Sequence, residues 1–268
     1  MTKNNIDITS DLHIDQWSDD INSMYPLGKV KNYPFLWGQK HNSILIVAGD
    51  IADNLEESIK YLDSISNYYK KILFVDGNHE HVYKYPKLYT KEDIQNLVNK
   101  YNNPKLVYLT NNPYQINDTI IIGCCGWWNY ENGKNISINL NYFKNWIKEF
   151  NILDNLEFMR SVMSKVKHES YLLEKTIEKY QNDNKINKIV IVTHTVPRHK
   201  YCDKDSSDLQ LNTEFLNFSK YSKIKIWIFG HTHKQWDTLD NNIRYISNPR
   251  GRPEDYNREK YQLKTISF

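Results

Sequence analysis

Cysteine, proline and glycine are scarce in this 268-residue chain, with 3, 8 and 9 copies. The cysteines are Cys124, Cys125 and Cys202, and the first two are adjacent in an apolar run. An odd count with no spaced framework argues against a disulfide-stapled secreted domain, so a reducing compartment is expected. No Pro-, Gly- or Ser-rich break separates two halves, which favours one domain over residues 1–268. No apolar run approaches the roughly 18 residues that a membrane span needs. The start, MTKNNIDITSDLH, lacks the basic end and apolar stretch of a secretory signal. From these absences a soluble, cytoplasmic protein with no membrane partner is expected. An excess of one charge is missing too: 35 Lys plus Arg stand against 32 Asp plus Glu, a net charge of +3. No overall field gathers polyanions, and no nucleic-acid partner is indicated.

What is present is enough apolar matter, 40% of residues, for a sizeable core. Short β-branched runs at Ile44 to Ala48, Ile72 to Val75, Thr119 to Cys125, Ile189 to Thr193 and Ile224 to Phe229 predict buried strands. Between the first two, Leu55, Ile59, Leu62, Ile65 and Tyr69 recur at helical spacing behind a candidate Asn54 cap. A strand, helix, strand unit favours a sheet with helices outside it. Further on, KQWDTLDNNIRYISNP alternates around an Asn-rich turn as a hairpin does, and YQLKTISF reads as one more strand, so the sheets are expected to be mixed. Residues from about Trp127 to Asn184 carry helical periods in NYFKNWIKEF and MRSVMSKVKHESYLLEKTIEKY, which predicts an inserted helical cap at about 127–184.

All but one of these strands, together with Ile6 to Ile8, end in residues able to bind a metal. The sequence gives Asp11 and His13, then Asp50 and Asp53, then Asn78 and His79, then His194, then His231 and His233. Ligands at the carboxyl ends of neighbouring strands converge on one rim of a sheet. Carboxylates and an amide oxygen with imidazoles suit divalent manganese, iron, zinc or cobalt, and no cysteine is needed. Asp11 and His13, two apart in extended chain, can share one face and one ion. His231 and His233 can do likewise, or a turn can give them to different ions. Each pair alone is an ordinary surface or core arrangement; five in order are not.

Taken in order, D-x-H, G-D-x-x-D, G-N-H-E, T-H and G-H-T-H resemble the motif set of the calcineurin-like metallophosphoesterase superfamily. The resemblance spans Asp11 to His233. It implies an α/β fold, a four-layer α/β/β/α sandwich of mixed sheets. It also implies two divalent ions, manganese first, with iron, zinc, cobalt, nickel or magnesium as alternatives. One would be held by Asp11, His13, Asp50 and His233, the other by Asp50, Asn78, His194 and His231, with Asp50 bridging. Such ions, about 3.5 to 4 Å apart, share a hydroxide that attacks phosphorus in line. By the same resemblance His79 meets the leaving oxygen and Asp53 orients His79, both as catalytic residues. The competing reading makes Asp53 a helix cap and His79 a turn residue.

Ser/Thr protein phosphatases carry arginines in G-D-x-V-D-R-G and R-G-N-H-E. Here the stretches are GDIADNL and VDGNHE, without either arginine. The tail, with G-H-T-H, a hairpin and N-P-R-G, looks like that of small single-domain bacterial, phage and viral phosphoesterases. A phosphodiester's single charge fits a site with few arginines, so the expected substrate is a nucleotide or another small phosphodiester. A phosphomonoesterase or protein phosphatase, a nuclease, and a non-catalytic scaffold of the same fold stand as alternatives. Arg198, His199, Arg250 and Arg252 are candidate substrate contacts or else solvated surface. Trp127 and Trp128, with Tyr130, are a candidate wall for a nucleobase. Tyr142, Phe143, Trp146 and Phe150 read as core at helical spacing.

Overall fold

A computed structural model of the chain describes residues 5–17, 35, 42–110, 112–133, 155–203, 209–255, 258 and 261–267. The apolar runs become two sheets. Strands β1 (Asn5–Thr9), β2 (Ile44–Ala48), β3 (Lys71–Val75) and β4 (Leu106–Tyr108) pair in parallel in that order. The second sheet holds β5 (Tyr114–Ile116), β6 (Thr119–Cys124), β7 (Lys188–Thr193), β8 (Ile224–Phe229), β9 (Trp236–Asp240) and β10 (Ile243–Ser247), in the order β5-β6-β7-β8-β10-β9. Its inner four strands are parallel and its two edges antiparallel. Strand β11 (Lys264–Ser267) crosses back to pair antiparallel with β1, so both sheets are mixed. The expected hairpin is β9 and β10, turning at Asn241 and Asn242, whose φ values of 48° and 63° are the two positive angles that a tight hairpin turn requires.

Alternation along each buried strand sends side chains to two faces. Ile6, Ile8, Ile46 and Val75 of the first sheet meet Ile121, Val190, Ile228 and Ile246 of the second, and the sheets stack on that shared core. On the outer face of the first sheet, Leu45, Val47, Ile72 and Phe74 bury against helices α1 (Leu55–Ile65) and α2 (Lys91–Lys100). On the outer face of the second, Ile122, Ile191, Trp227 and Phe229 bury against Leu173 and Ile177 of helix α3 (Asn155–Gln181) and against Phe215 and Phe218. The order is therefore helix, sheet, sheet, helix, the four-layer α/β/β/α sandwich expected from the motifs.

Helix α1 starts where its cap requires: Asn54 Oδ1 accepts from the Glu56 and Glu57 N–H groups at 2.8 and 3.2 Å. The second of the two helical segments forms α3; NYFKNWIKEF, with Tyr142, Phe143, Trp146 and Phe150, lies outside the described residues. Loops from the carboxyl ends of β1, β2, β7, β8 and β10 are tied directly to one another. Asp11 N–H donates to Gly49 O at 2.9 Å, Gly230 N–H to His194 O at 2.9 Å, and Gly251 N–H to Asp11 O at 2.8 Å.

Candidate metal centre

At this rim the backbone leaves the strand conformation abruptly. Asp11, His13, Asp50, His231 and His233 have φ between 42° and 75°, a left-handed region that residues with a Cβ seldom adopt. The extended geometry expected for Asp11 and His13 is thus replaced by two tight turns, because the chain leaves β1 held to Gly49 O and Asp50 O. Gly77 allows the close approach of the β2 and β3 loops: a methyl group there would fall on the Asp50 carboxylate.

Three sets of donor atoms lie mutually within 4.8 Å: Asp11, His13 and His233; His13, Asp50 and His79; Asp50, His194 and His231. In the last set His194 Nε2 is 3.1 Å from Asp50 Oδ2, 3.1 Å from Asn78 Oδ1 and 3.2 Å from His231 Nδ1. A carbonyl can only accept, and this fixes the tautomers. His194 Nδ1–H donates to Ala48 O and His231 Nε2–H to Leu209 O, both at 2.9 Å, so in the neutral rings, the form that binds a metal, the facing nitrogens carry the lone pairs. In the first set His233 Nδ1–H donates to Asp255 Oδ2 at 2.7 Å, which leaves its Nε2 lone pair 3.0 Å from His13 Nε2. Asp11 Oδ2 and His13 Nδ1 are buried with no hydrogen-bond partner among the described residues. Ring nitrogens aimed at one another and a buried carboxylate oxygen without a partner fit two cations between them, and the nitrogen and oxygen donors suit divalent transition metals.

The titration of the metal-free cluster agrees. Burial opposes charge on His194, but the Asp50 carboxylate outweighs it and raises the imidazole to about 10. Burial, reinforced by the neighbouring imidazoles, takes His231 down to about 3 and His13 well below its ordinary value. One proton thus sits beside Asp50 where a cation would stand.

His79 differs from the other histidines. Its Nδ1 faces Asp53 Oδ1 at 2.6 Å, and its Nε2 faces Arg252 Nη2 at 3.3 Å. A guanidinium against that nitrogen disfavours a metal ion there. Burial works against charge on His79, yet Asp50 and Asp53 outweigh it and raise its pKa. The helix cap belongs to Asn54, so Asp53 keeps its carboxylate for His79.

Several expected substrate contacts lie elsewhere. Trp127 and Trp128 are 0% and 2% exposed, and Tyr130 is buried with them. The turn after β6 carries these rings inward under Phe158 and Val162 of α3, so no base can stack on them. Trp128 stacks instead on the His231 ring, with centroids 5.5 Å apart. Arg250 is fully buried, its guanidinium 3.9 Å above the Trp17 ring. Arg198 donates its Nε–H to the Tyr245 hydroxyl, on the outer face of the second sheet, and His199 is exposed in a 3-10 turn beside it.

Two residues with no assigned role prove central. Glu80 accepts from the Asp50, Ile51, Ala52 and Gly77 N–H groups and from the Ser58 hydroxyl, which locks the β2 and β3 loops together. Asp255 holds His233. The G-N-H-E string contained the first; the second lies beyond all five motifs, and only the folded chain reveals it. A cavity of 610 Å³ lies apart from the centre, between α3 and the loop before α2, and no candidate ligand lines it.

The profile of the calcineurin-like phosphoesterase family matches residues 5–235. The chain belongs to that family. It is therefore a metallophosphoesterase, a phosphoric ester hydrolase of a family that depends on dinuclear metal. An uncharacterised protein of Acanthamoeba polyphaga mimivirus is 26% identical over 271 residues, covering 92% of this chain and 91% of that one. The phosphopantetheinyl hydrolase of Mycobacterium tuberculosis superposes with a TM-score of 0.69 at 18% identity, over 98% of this chain and 95% of that one. A dimetal phosphatase of Danio rerio gives 0.51 at 12% identity, over 98% and 92%. At these identities the two structures establish the fold. No helix among the described residues is long and apolar enough to cross a membrane.

Proposed function

We propose that this metallophosphoesterase is a phosphodiesterase acting on a nucleotide or another small phosphodiester. Asp11, His13, Asp50 and His233 hold one divalent ion and Asp50, Asn78, His194 and His231 the other, manganese being the first choice. When bound, such a pair supplies an activated water and positive charge at the phosphoryl oxygens. Asp50 suits the shared position because a carboxylate offers two oxygens, and neutral Asn78 keeps the centre net positive for an anionic substrate. Asp53 fixes the Nδ1–H tautomer of His79, whose Nε2 then faces the leaving oxygen and hydrogen-bonds or protonates it.

One observation carries the choice of a diester. Both positions at which protein phosphatases keep an arginine have other work here. Asn54 caps α1, and Asp76 is a buried carboxylate bonded to His81 Nε2 at 2.8 Å and to the Tyr108 hydroxyl at 2.7 Å. A monoester's second negative charge would therefore find no cation at either of these positions. The test compares bis(p-nitrophenyl) phosphate with p-nitrophenyl phosphate on chelator-stripped protein restored with Mn²⁺, beside Asn78→Ala. Mn-dependent preference for the diester, lost in the variant, is expected. Turnover of the monoester alone would transfer the assignment to a phosphatase, and silence on both would leave a very selective enzyme or a scaffold.

A further inference from the structure

Arg252 is out of keeping with its surroundings. Among the described residues its Nε lies buried without a hydrogen-bond partner, and the guanidinium's one hydrogen-bond contact is from Nη2 to the ring nitrogen of His79 at 3.3 Å. Among the described residues no carboxylate comes within ion-pair distance of its guanidinium, whereas neighbouring cations are matched, Arg258 to Asp255 and Lys234 to Asp203. A half-buried cation beside a centre that would itself be net positive is costly unless an anion arrives to face both. The position is also built rather than incidental. Arg252 N–H donates to Asp255 Oδ2 at 2.8 Å, and Asp255 in turn holds His233. Gly251, with φ of 75°, makes the turn that brings the arginine to His79. The segment lies past residue 235, where the family match ends.

We propose that Arg252 binds an anionic group on the leaving half of the substrate, so that the preferred phosphodiester is a diphosphate diester whose departing group is a phosphate. The proposal rests on the reading that His79 faces the leaving oxygen, since Arg252 flanks that nitrogen. An alcohol departing as an alkoxide needs a proton; a phosphate departs as a stable anion and needs a fixed positive charge. A guanidinium supplies that charge at every working pH and in a planar fork that matches phosphate oxygens. In the reaction, water gives its oxygen to one phosphorus. The P–O bond to the bridging oxygen breaks with its electron pair on the departing phosphate, and the water's protons pass to solvent or product. The products are two phosphate monoesters.

Two measurements test it, on manganese-loaded wild-type, Arg252→Ala and Arg252→Lys proteins matched for thermal unfolding. The first is calorimetric titration with AMP, which stands for the departing phosphate, and with adenosine as its uncharged counterpart. Arg252→Ala is expected to weaken AMP about 10- to 100-fold, the worth of a hydrogen bond to a charged group, and Arg252→Lys by less, since charge survives without the fork. The second compares kcat/KM for ADP-ribose, a diphosphate diester, with that for thymidine 5′-(p-nitrophenyl phosphate), whose leaving group is a phenol. The variants should lose at least fivefold more on the diphosphate. Equal losses on both esters, or unchanged AMP affinity, would overturn the proposal. A wild-type protein that takes up metal yet cleaves neither ester would defeat the phosphodiesterase reading instead, and the AMP titration would still decide the role of Arg252.

Discussion

Replacing Asp255 with Asn isolates one charge at the edge of the metal centre. Asp255 Oδ2 accepts from His233 Nδ1 at 2.7 Å and from Arg252 N–H at 2.8 Å, and an asparagine oxygen in the same place can accept both. Shape is thus preserved and only the negative charge behind His233 is removed. That charge makes the imidazole a stronger donor, and loss of such a partner commonly costs 10- to 100-fold in metal affinity. The Asp255 side chain is 27% exposed, so solvent screening places the effect near the lower end, about tenfold or ~1.4 kcal/mol. The assay is calorimetric Mn²⁺ titration of chelator-stripped wild-type and Asp255→Asn proteins. Of two binding steps, one should weaken about tenfold while the other moves less than threefold. Two steps weakened equally would mean that Asp255 acts on the fold as a whole; no change in either would refute the coupling to His233.

Two further perturbations reach the supporting structure. Burial above all, with the Lys165 charge, takes His81 down to about 4 although Asp76 pulls the other way. The unfolded chain therefore binds more protons between pH 4 and 6.5. Stability from this residue is full above pH 6.5 and is lost as pH falls, by about 2 kcal/mol between pH 7 and 5. In urea unfolding of metal-stripped protein, His81→Gln should lose about 2 kcal/mol less than wild type over that interval, and an identical loss would contradict the assignment. Gly77→Ala sets a methyl on the Asp50 carboxylate, so manganese binding and diesterase activity should collapse at a stability cost of about 1–3 kcal/mol. Retention of wild-type metal affinity would mean that Asp50 is free to move aside.

Most of the fold was legible because buried parallel strands leave an unbroken apolar signal, as ILIVA and IKIWIF do. The three-residue strands β4 and β5 carry too few residues for a period and went unassigned. The candidate ligands were legible for a related reason: each follows its strand directly, and strand polarity fixes the rim on which it emerges. What failed was any inference that depended on the direction of a side chain. Trp127 and Trp128 follow β6 as the histidines follow β7 and β8, yet they turn inward because α3 lays Phe158 and Val162 over them. The N-P-R-G-R string offered two arginines; Arg250 folds onto Trp17 and Arg252 onto His79, and nothing in the local sequence separates them. Asp255 was invisible because its partner stands 22 residues earlier, joined only after a hairpin.

Strand β11 pairs with β1 across more than 250 positions of sequence, and the segment just before it carries Arg252 and Asp255 to the rim that Asp11 and His13 begin. Asp11 itself receives the His231 N–H at 2.9 Å. A chain emerging from the ribosome thus shows the candidate ligands Asp11 and His13 early but lacks His231, His233 and Asp255 until those later residues have been made. Long-range closure of this kind is slow, because the entropy of the whole loop is lost before any contact rewards it. The delay has a protective side: a half-made chain carries Asp11, His13, Asp50 and Asn78 but lacks His194, His231 and His233, so neither candidate ion site is complete before the later strands are made.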